Sequence, residues 1–192
     1  MSVADVIEAG GARVELFSGD PLGQPVTAEV VDDDDTALRR AEGTGLAIAL
    51  GVGSNTVRLR LLDAVPVHLN VQAVLAPTAT VAATATVGAG TVIHHHAHVG
   101  PRASIGRAVI INTGVIVEHD CTVGDGAHIA PGAVLLGAAT VGEGAFVGSG
   151  ARILPGGSGG EGGIVGAGAV VTRNVPARSV AVGVPAEVKR AL

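Results

Sequence analysis

From Leu75 onward an aliphatic residue returns at every sixth position: Leu75, Val81, Val87, Ile93, Val99, Ile105, Ile111, Val117, Val123, Ile129, Leu135, Val141, Val147 and Ile153. Gly159 breaks the identity but not the spacing, and Val165 and Val171 resume it. Seventeen hexads run from Leu75 to Pro176 without an insertion. Their fifth position is small or β-branched throughout, as in Ala79, Ala97, Val115, Cys121, Ala133 and Ala151, and their second is often Gly, as in Gly88, Gly100, Gly124, Gly142 and Gly160. A period of six is neither the 2.0 of a strand nor the 3.6 of a helix. Short strands joined by repeated tight turns produce it, with the aliphatic residue inside and Gly easing a strained turn. Three hexads then close one triangular coil, so residues eighteen apart stack. The pattern predicts a solenoid.

The first 68 residues follow another pattern. Val3–Glu8 predicts a helix ending at Gly10-Gly11, Ala12–Phe17 a strand, Thr36–Glu42 a helix, Gly45–Leu50 a buried strand, Thr56–Asp63 a helix and Val65–Asn70 a last strand. The acidic run Asp32–Asp35 reads as a solvated loop or helix start. Alternating strands and helices predict a small α/β domain over 1–68 with a parallel sheet, and the solenoid fills 69–192.

Composition sharpens this picture. Hydrophobic residues make up 47% of the chain, yet Phe17 and Phe146 are its only aromatics. The core must come from Val, Ile, Leu and Ala, which suits thin regular layers. The 30 glycines have no Gly-X-Y period, which excludes collagen. With net charge −5 and no cationic run there is no nucleic-acid or membrane-surface footprint. Cys121 is alone, and neither a signal-peptide pattern nor a membrane-length apolar run is present, so the expectation is a cytoplasmic protein.

Most of the solenoid is chemically silent, so its polar exceptions are informative. Between Ile111 and Cys121 stand Asn112, Glu118, His119 and Asp120. His119 is third in its hexad and should point outward. A carboxylate beside a histidine can hold one ring nitrogen protonated and leave the other free to accept a proton, a general-base arrangement. The competing reading is an exposed histidine on a solvated turn. Cys121 occupies a small inward position and reads as core. His94-His95-His96-Ala97-His98 raises the question of zinc, but neighbouring side chains on one strand alternate in direction and no second histidine stacks on His95 or His98, so no metal is expected. A polar face within a subunit interface is the favoured reading of that run.

The segments Asn112-Thr113-Gly114, Glu118-His119-Asp120-Cys121, Gly124-Asp125-Gly126-Ala127-His128-Ile129-Ala130-Pro131-Gly132 and Gly183-Val184-Pro185-Ala186, set in the hexads of about residues 69–186, resemble the hexapeptide-repeat family. They are most similar to its sugar O-acyltransferase branch, which includes sialic acid O-acetyltransferases and N-acetyltransferases of nucleotide-linked 4-amino sugars. The resemblance implies a mainly β fold, a left-handed parallel β-helix preceded by a small α/β domain, working as a homotrimer with sites in the clefts between subunits. It implies acetyl-CoA as cosubstrate, His119 as base, Glu118 or Asp120 orienting it, and Asn112 nearby. Gly137 stacks on His119 and would offer its N–H to the thioester oxygen. His128, Ser149 and Ala167 would line the cofactor, and Arg173, Arg178, Lys189 and Arg190 could meet its phosphates.

One departure concerns the N-terminus. The family opens with a strand and a Gly-rich turn, usually Gly-x-Gly-Gly-His-Gly, and this chain starts after both, so its α/β domain reads either as truncated or as rearranged with a changed ligand. Phe17-Ser18-Gly19-Asp20-Pro21 and Gly51-Val52-Gly53-Ser54-Asn55-Thr56-Val57-Arg58 match later parts of that domain, which implies substrate contacts at Asp20, Gly53, Asn55 and Arg58. The expected function is transfer of an acetyl group to a sugar amine or hydroxyl. The rivals are a metal-dependent β-helix enzyme of carbonic-anhydrase type and a non-catalytic scaffold.

Overall fold

The computed structural model describes residues 3–14, 16–18, 29–31 and 33–192. The hexads form a parallel β-helix of about six coils. Each hexad contributes a two-residue strand, from Val74–Leu75 to Val170–Val171, and strands of successive coils pair eighteen residues apart, as Ile116 does with His98 and Val134. Three flat faces result, of six, five and eight strands. The eight-stranded face is completed by Ser179–Val182 and the antiparallel Glu187–Ala191.

The first and fifth positions point inward, as the pattern requires. Ile93, Ile111, Ile129, Leu135, Val147 and Ile153 have no solvent exposure, and the small fifth-position residues Val115, Cys121, Ala133 and Ala151 fill the space between them. Cys121 is core, and burial pushes its thiol pKa up.

The role expected of the second-position glycines is corrected. Left-handed backbone falls at the fourth position of the hexad, as at Gly114, Gly126, Gly132 and Gly150, and at the non-glycines His96, Arg102, Ala108, Asp120 and Ala138. The second-position glycines answer to crowding. A Cβ at Gly88, Gly124 or Gly148 would come within 2.6, 2.6 and 2.5 Å of the backbone of the following coil.

The N-terminal segment contains α1 (Val3–Ala9), β1 (Leu16–Ser18), β2 (Glu29–Val31), α2 (Asp34–Thr44) and α3 (Asn55–Ala64). β1 and β2 pair in parallel, and β2 has no counterpart in the sequence expectations. α2 begins earlier than expected because Asp33 caps it, its Oδ1 accepting the Thr36 N–H at 2.8 Å. Gly45, at φ 71°, closes the helix. The strands expected at Gly45–Leu50 and Val65–Asn70 do not form; a single parallel bridge joins Ile48 to Val71. Gly45 is used as the helix cap, and Pro66 accepts the Leu69 N–H in a turn that leaves Val67 fully exposed.

α3 docks on the corner between the five- and eight-stranded faces. The fourth-position residues there, Gly90, Ala108, Gly126 and Gly144, are small, so the helix approaches closely. Leu50 and Leu62 pack on Ala108, and a Cβ at Gly126 would collide with the Leu59 side chain.

Candidate active site

His119 stands on the corner between the six- and five-stranded faces, in the turn after Ile116–Val117. Its Nδ1 lies 2.7 Å from Asp120 Oδ2. Asp120 is gripped from the previous coil by Arg102, whose Nε donates to Oδ1 at 2.6 Å and whose Nη2 donates to Oδ2 at 2.8 Å. The Arg102 guanidinium, and after it His119, hold the Asp120 carboxyl down at about 2, so it is ionised at neutral pH. An ionised carboxylate only accepts, so His119 donates through Nδ1, and in the neutral imidazole Nε2 is the acceptor. The ring lies against Gly137 of the next coil, where a Cβ would be 2.7 Å from both Cε1 and Nε2. The third-position N–H of a coil is outside the inter-coil ladder. At Arg107 and Thr113 a side chain takes it, Asp125 Oδ1 at 2.7 Å and Asn112 Oδ1 at 2.8 Å. No group among the described residues accepts the N–H of Gly137, which is left open beside the imidazole.

A second polar cluster lies at the seam between the eight-stranded face and α3. Asn112 Nδ2 donates to His128 Nε2 at 3.3 Å, and the His128 ring meets Phe146 edge-on at 5.2 Å. Burial, then the charge of Arg58 and His94, pushes His128 down to about 4, against a raising contribution from the Gly53 backbone. It is neutral at neutral pH. His94, one coil before Asn112, is buried with Nδ1 unpartnered among the described residues, and burial lowers its pKa too. Arg58 has no exposure at all and uses every N–H: Nε to Ala108 O, Nη1 to Val52 O and Gly53 O, Nη2 to Asn55 Oδ1 and Gly126 O, with Ala127 O at 3.3 Å. Asn55 in turn donates to Gly144 O at 3.0 Å.

The model of the bacterial transferase hexapeptide, six repeats, matches residues 102–137 and 120–155. Among solved structures, perosamine N-acetyltransferase from Caulobacter crescentus, as a histidine-to-asparagine variant with CoA and GDP-perosamine, is 34% identical over 98% of this chain and 90% of its own, with a TM-score of 0.90. The chain belongs to the hexapeptide-repeat acyltransferases. The acetyltransferase domain of PglB from Neisseria gonorrhoeae, in complex with acetyl coenzyme A, is 30% identical over 97% of this chain and 92% of its own, with a TM-score of 0.89. WeeI from Acinetobacter baumannii is 26% identical over 91% and 85%, with a TM-score of 0.75. A search of curated proteins found no match.

Within this hexapeptide-repeat acyltransferase the β-helix has the left-handed form expected of the family. Of the residues singled out from sequence, His119, Asp120 and Gly137 come together. Asp120 and not Glu118 orients the imidazole, because Glu118 makes no hydrogen bond to it. Asn112 is paired with His128, a corner away from His119. Ser149 and Ala167 stack on that same other corner, between the eight- and six-stranded faces, and both are exposed. Arg58, which the resemblance implied as a substrate contact, is wholly buried. With all its donors used inside the protein, it shapes the 52–55 loop from beneath. Asn55 is likewise engaged with the β-helix. Asp20 lies outside the described residues. Of the cations expected near cofactor phosphates, Arg178 pairs with Glu161 at 3.6 Å and Lys189 with Glu187 at 2.8 Å, while Arg173 stands on the His119 corner two coils beyond Gly137. In the histidine run, Nδ1 of His95 and of His98 each meets a threonine hydroxyl, Thr78 and Thr80, at 2.8 Å. Among the described residues no group of three or more His, Cys, Asp or Glu is arranged to hold a metal, and no helix is long and apolar enough to cross a membrane.

Sequence reading missed Arg102. The signal was present, because Arg102 precedes Asp120 by eighteen residues, the spacing that also links His119 to Gly137.

Proposed function

We propose that the chain transfers the acetyl group of acetyl-CoA to the amine of a nucleotide-linked 4-amino sugar, with His119 as general base. The observation that carries this reading is the His119 ring held through Nδ1 by Asp120 and seated against the open N–H of Gly137. The relatives solved with CoA, acetyl coenzyme A and GDP-perosamine support the substrate classes. The amine nitrogen attacks the thioester carbonyl, forming the C–N bond while His119 Nε2 takes the amine proton. Gly137 N–H donates to the oxyanion of the tetrahedral intermediate. Collapse breaks the C–S bond, and the proton returns to the departing thiolate. No covalent enzyme intermediate is needed.

His119 and Gly137 occupy one corner, whereas Asn112, Ser149 and Ala167 occupy another. A complete site therefore calls for the corners of two copies, which favours a homotrimer with three inter-subunit clefts. The six-stranded face supports this, since its outward column places Ile116, 37% exposed, beside Val134, with Arg152 and Val170 in the coils beyond. Ser149 and Ala167 would then run along the pantetheine arm, His128 would touch the acetyl-CoA end of the site, and Gly53 would face the nucleotide sugar. A cytoplasmic setting follows from the use of acetyl-CoA.

The test is thiol release from acetyl-CoA with a panel of nucleotide-linked amino sugars, GDP-perosamine among them, for the wild type and His119→Ala. Acceptor-dependent release that falls by about 10²-fold or more in the variant is expected. Release that survives in His119→Ala removes the base, and absence of release with every acceptor removes the activity.

A further inference from the structure

Three side chains on the open corner form a chain of hydrogen bonds across two coils: Arg102 to Asp120, and Asp120 to His119. Asp120 Oδ2 is shared, receiving Arg102 Nη2 at 2.8 Å and His119 Nδ1 at 2.7 Å. We propose that Arg102 is a positioning residue of the acyl-transfer site, fixing the carboxylate that fixes the catalytic histidine; this rests on His119 being the base.

The geometry argues for orientation over stability. Arg102 and Asp120 are 64% and 39% exposed, and an ion pair so well solvated adds little to folding. A bidentate fork, however, has a defined direction. It holds both carboxylate oxygens, so Oδ2 cannot swing away from Nδ1 as a lone carboxylate on an exposed turn would. The consequence falls on His119. Its Nδ1–H tautomer is selected, and Nε2, the atom that must take the proton, is turned toward Gly137.

The backbone supplies an independent observation. Arg102 and Asp120 both occupy the fourth position of their hexads with left-handed φ of 58° and 60°. Most hexads use glycine there. Aspartate tolerates this region, but a long side chain such as arginine rarely enters it. The conformation is held by turn hydrogen bonds, Arg102 N–H to Thr84 Oγ1 at 3.1 Å and Asp120 N–H to Pro101 O at 3.0 Å. A left-handed arginine directly below a left-handed aspartate makes both side chains leave the corner side by side, which sets up the fork.

The experiment compares Arg102→Ala, Arg102→Lys, Asp120→Asn and the Arg102→Ala/Asp120→Asn double variant with the wild type, using acetyl-CoA and GDP-perosamine. Expected for Arg102→Ala is kcat lower by about 10-fold or more, with KM for acetyl-CoA and Tm unchanged. Arg102→Lys, a point charge without the fork, should fall between. Added guanidinium should restore part of the Arg102→Ala rate, and the double variant should be no slower than Asp120→Asn alone. Wild-type kcat in Arg102→Ala, alongside an inactive His119→Ala, would overturn the role of Arg102 and leave the base assignment standing. An active His119→Ala would instead overturn the base assignment. Nitrogen-15 NMR of the His119 ring needs no acceptor: the Nδ1–H form should dominate in the wild type and become a mixture in Arg102→Ala. A tautomer ratio that does not change between the two overturns the proposal even if GDP-perosamine is not turned over.

Discussion

On the open corner His119 is 56% exposed and is organised by charge: a guanidinium grips a carboxylate, and the carboxylate grips the imidazole. At the covered seam, less than one coil further along the chain, His128 is organised by burial, with α3 overhead, Arg58 alongside and its own charge expelled. The same hexad repeat builds both places. What differs is the covering. Where no described residue lies over the turn, charges in water must be aligned through specific geometry to direct a proton. Where α3 lies over the corner, desolvation, reinforced by the neighbouring charge of Arg58, decides protonation, and most buried polar groups are hydrogen-bonded. The open corner is therefore fit for chemistry that meets solvent-borne substrates, and the covered seam is fit for holding two parts of the chain in register.

The largest effect should come from breaking the covered seam. Arg58 is a buried cation with no carboxylate partner among the described residues; burial brings it down to about 10, and carbonyl oxygens from the 52–53 loop and from Ala108, Gly126 and Ala127 hold its charge. Arg58→Met fills similar volume but leaves those acceptors unsatisfied. A loss of about 4 kcal/mol in urea-unfolding stability is expected. A variant with the wild-type midpoint would mean that the carbonyls find water, and that the seam is less dry than its burial implies. Next comes a substitution confined to the open corner. Gly137→Ala puts a methyl group where the His119 ring now sits. The ring is the free end of an exposed side chain and can swing aside, so Tm should barely move. Its displacement from the reacting position should lower kcat by roughly 10²-fold, about 2.7 kcal/mol in the barrier. If kcat holds, Nε2 does not need its seat over Gly137.

The contrast between the corners also marks what was legible in the sequence. The coils were, because burial at the first and fifth positions imposes a period that no loop interrupts. Eighteen-residue stacking alone places Gly137 on His119. The same arithmetic joins Arg102 to Asp120, but an arginine in a turn carries no motif that singles it out. The covered seam was illegible for another reason. Arg58 lies in a stretch that resembles a nucleotide-sugar loop, and nothing local says that its guanidinium reaches carbonyls some 50 to 69 residues away. Such contacts depend on where α3 docks, and that depends on the small residues at Gly90, Ala108, Gly126 and Gly144, whose purpose appears only once the helix is seen resting on them. The two missing strands fail similarly: Gly45 opens one expected strand and Pro66 lies inside the other, yet one caps a helix and the other starts a turn.

The smallest effect is a pH dependence that should belong to the seam and spare the open corner. His128 has a folded pKa of about 4 against an ordinary value of 6.5. Between these values the unfolded chain binds a proton that the folded chain refuses. Stability from this group is present above pH 6.5, declines as the pH falls toward 4, and changes no further below that. From those two values the loss by pH 5 is about 2 kcal/mol relative to neutral pH. His94, lowered in the same direction, adds to it. Asp120 contributes nothing in this window, because it is ionised in both states until the pH approaches its ordinary 3.8. Urea titrations at pH 7 and pH 5 on the wild type and His128→Gln provide the check. The variant should lose most of the difference between the two pH values, since glutamine can still meet Asn112 but cannot take up a proton. If wild type and variant decline equally, the acid sensitivity lies elsewhere and burial at the seam is not what sets the charge of His128.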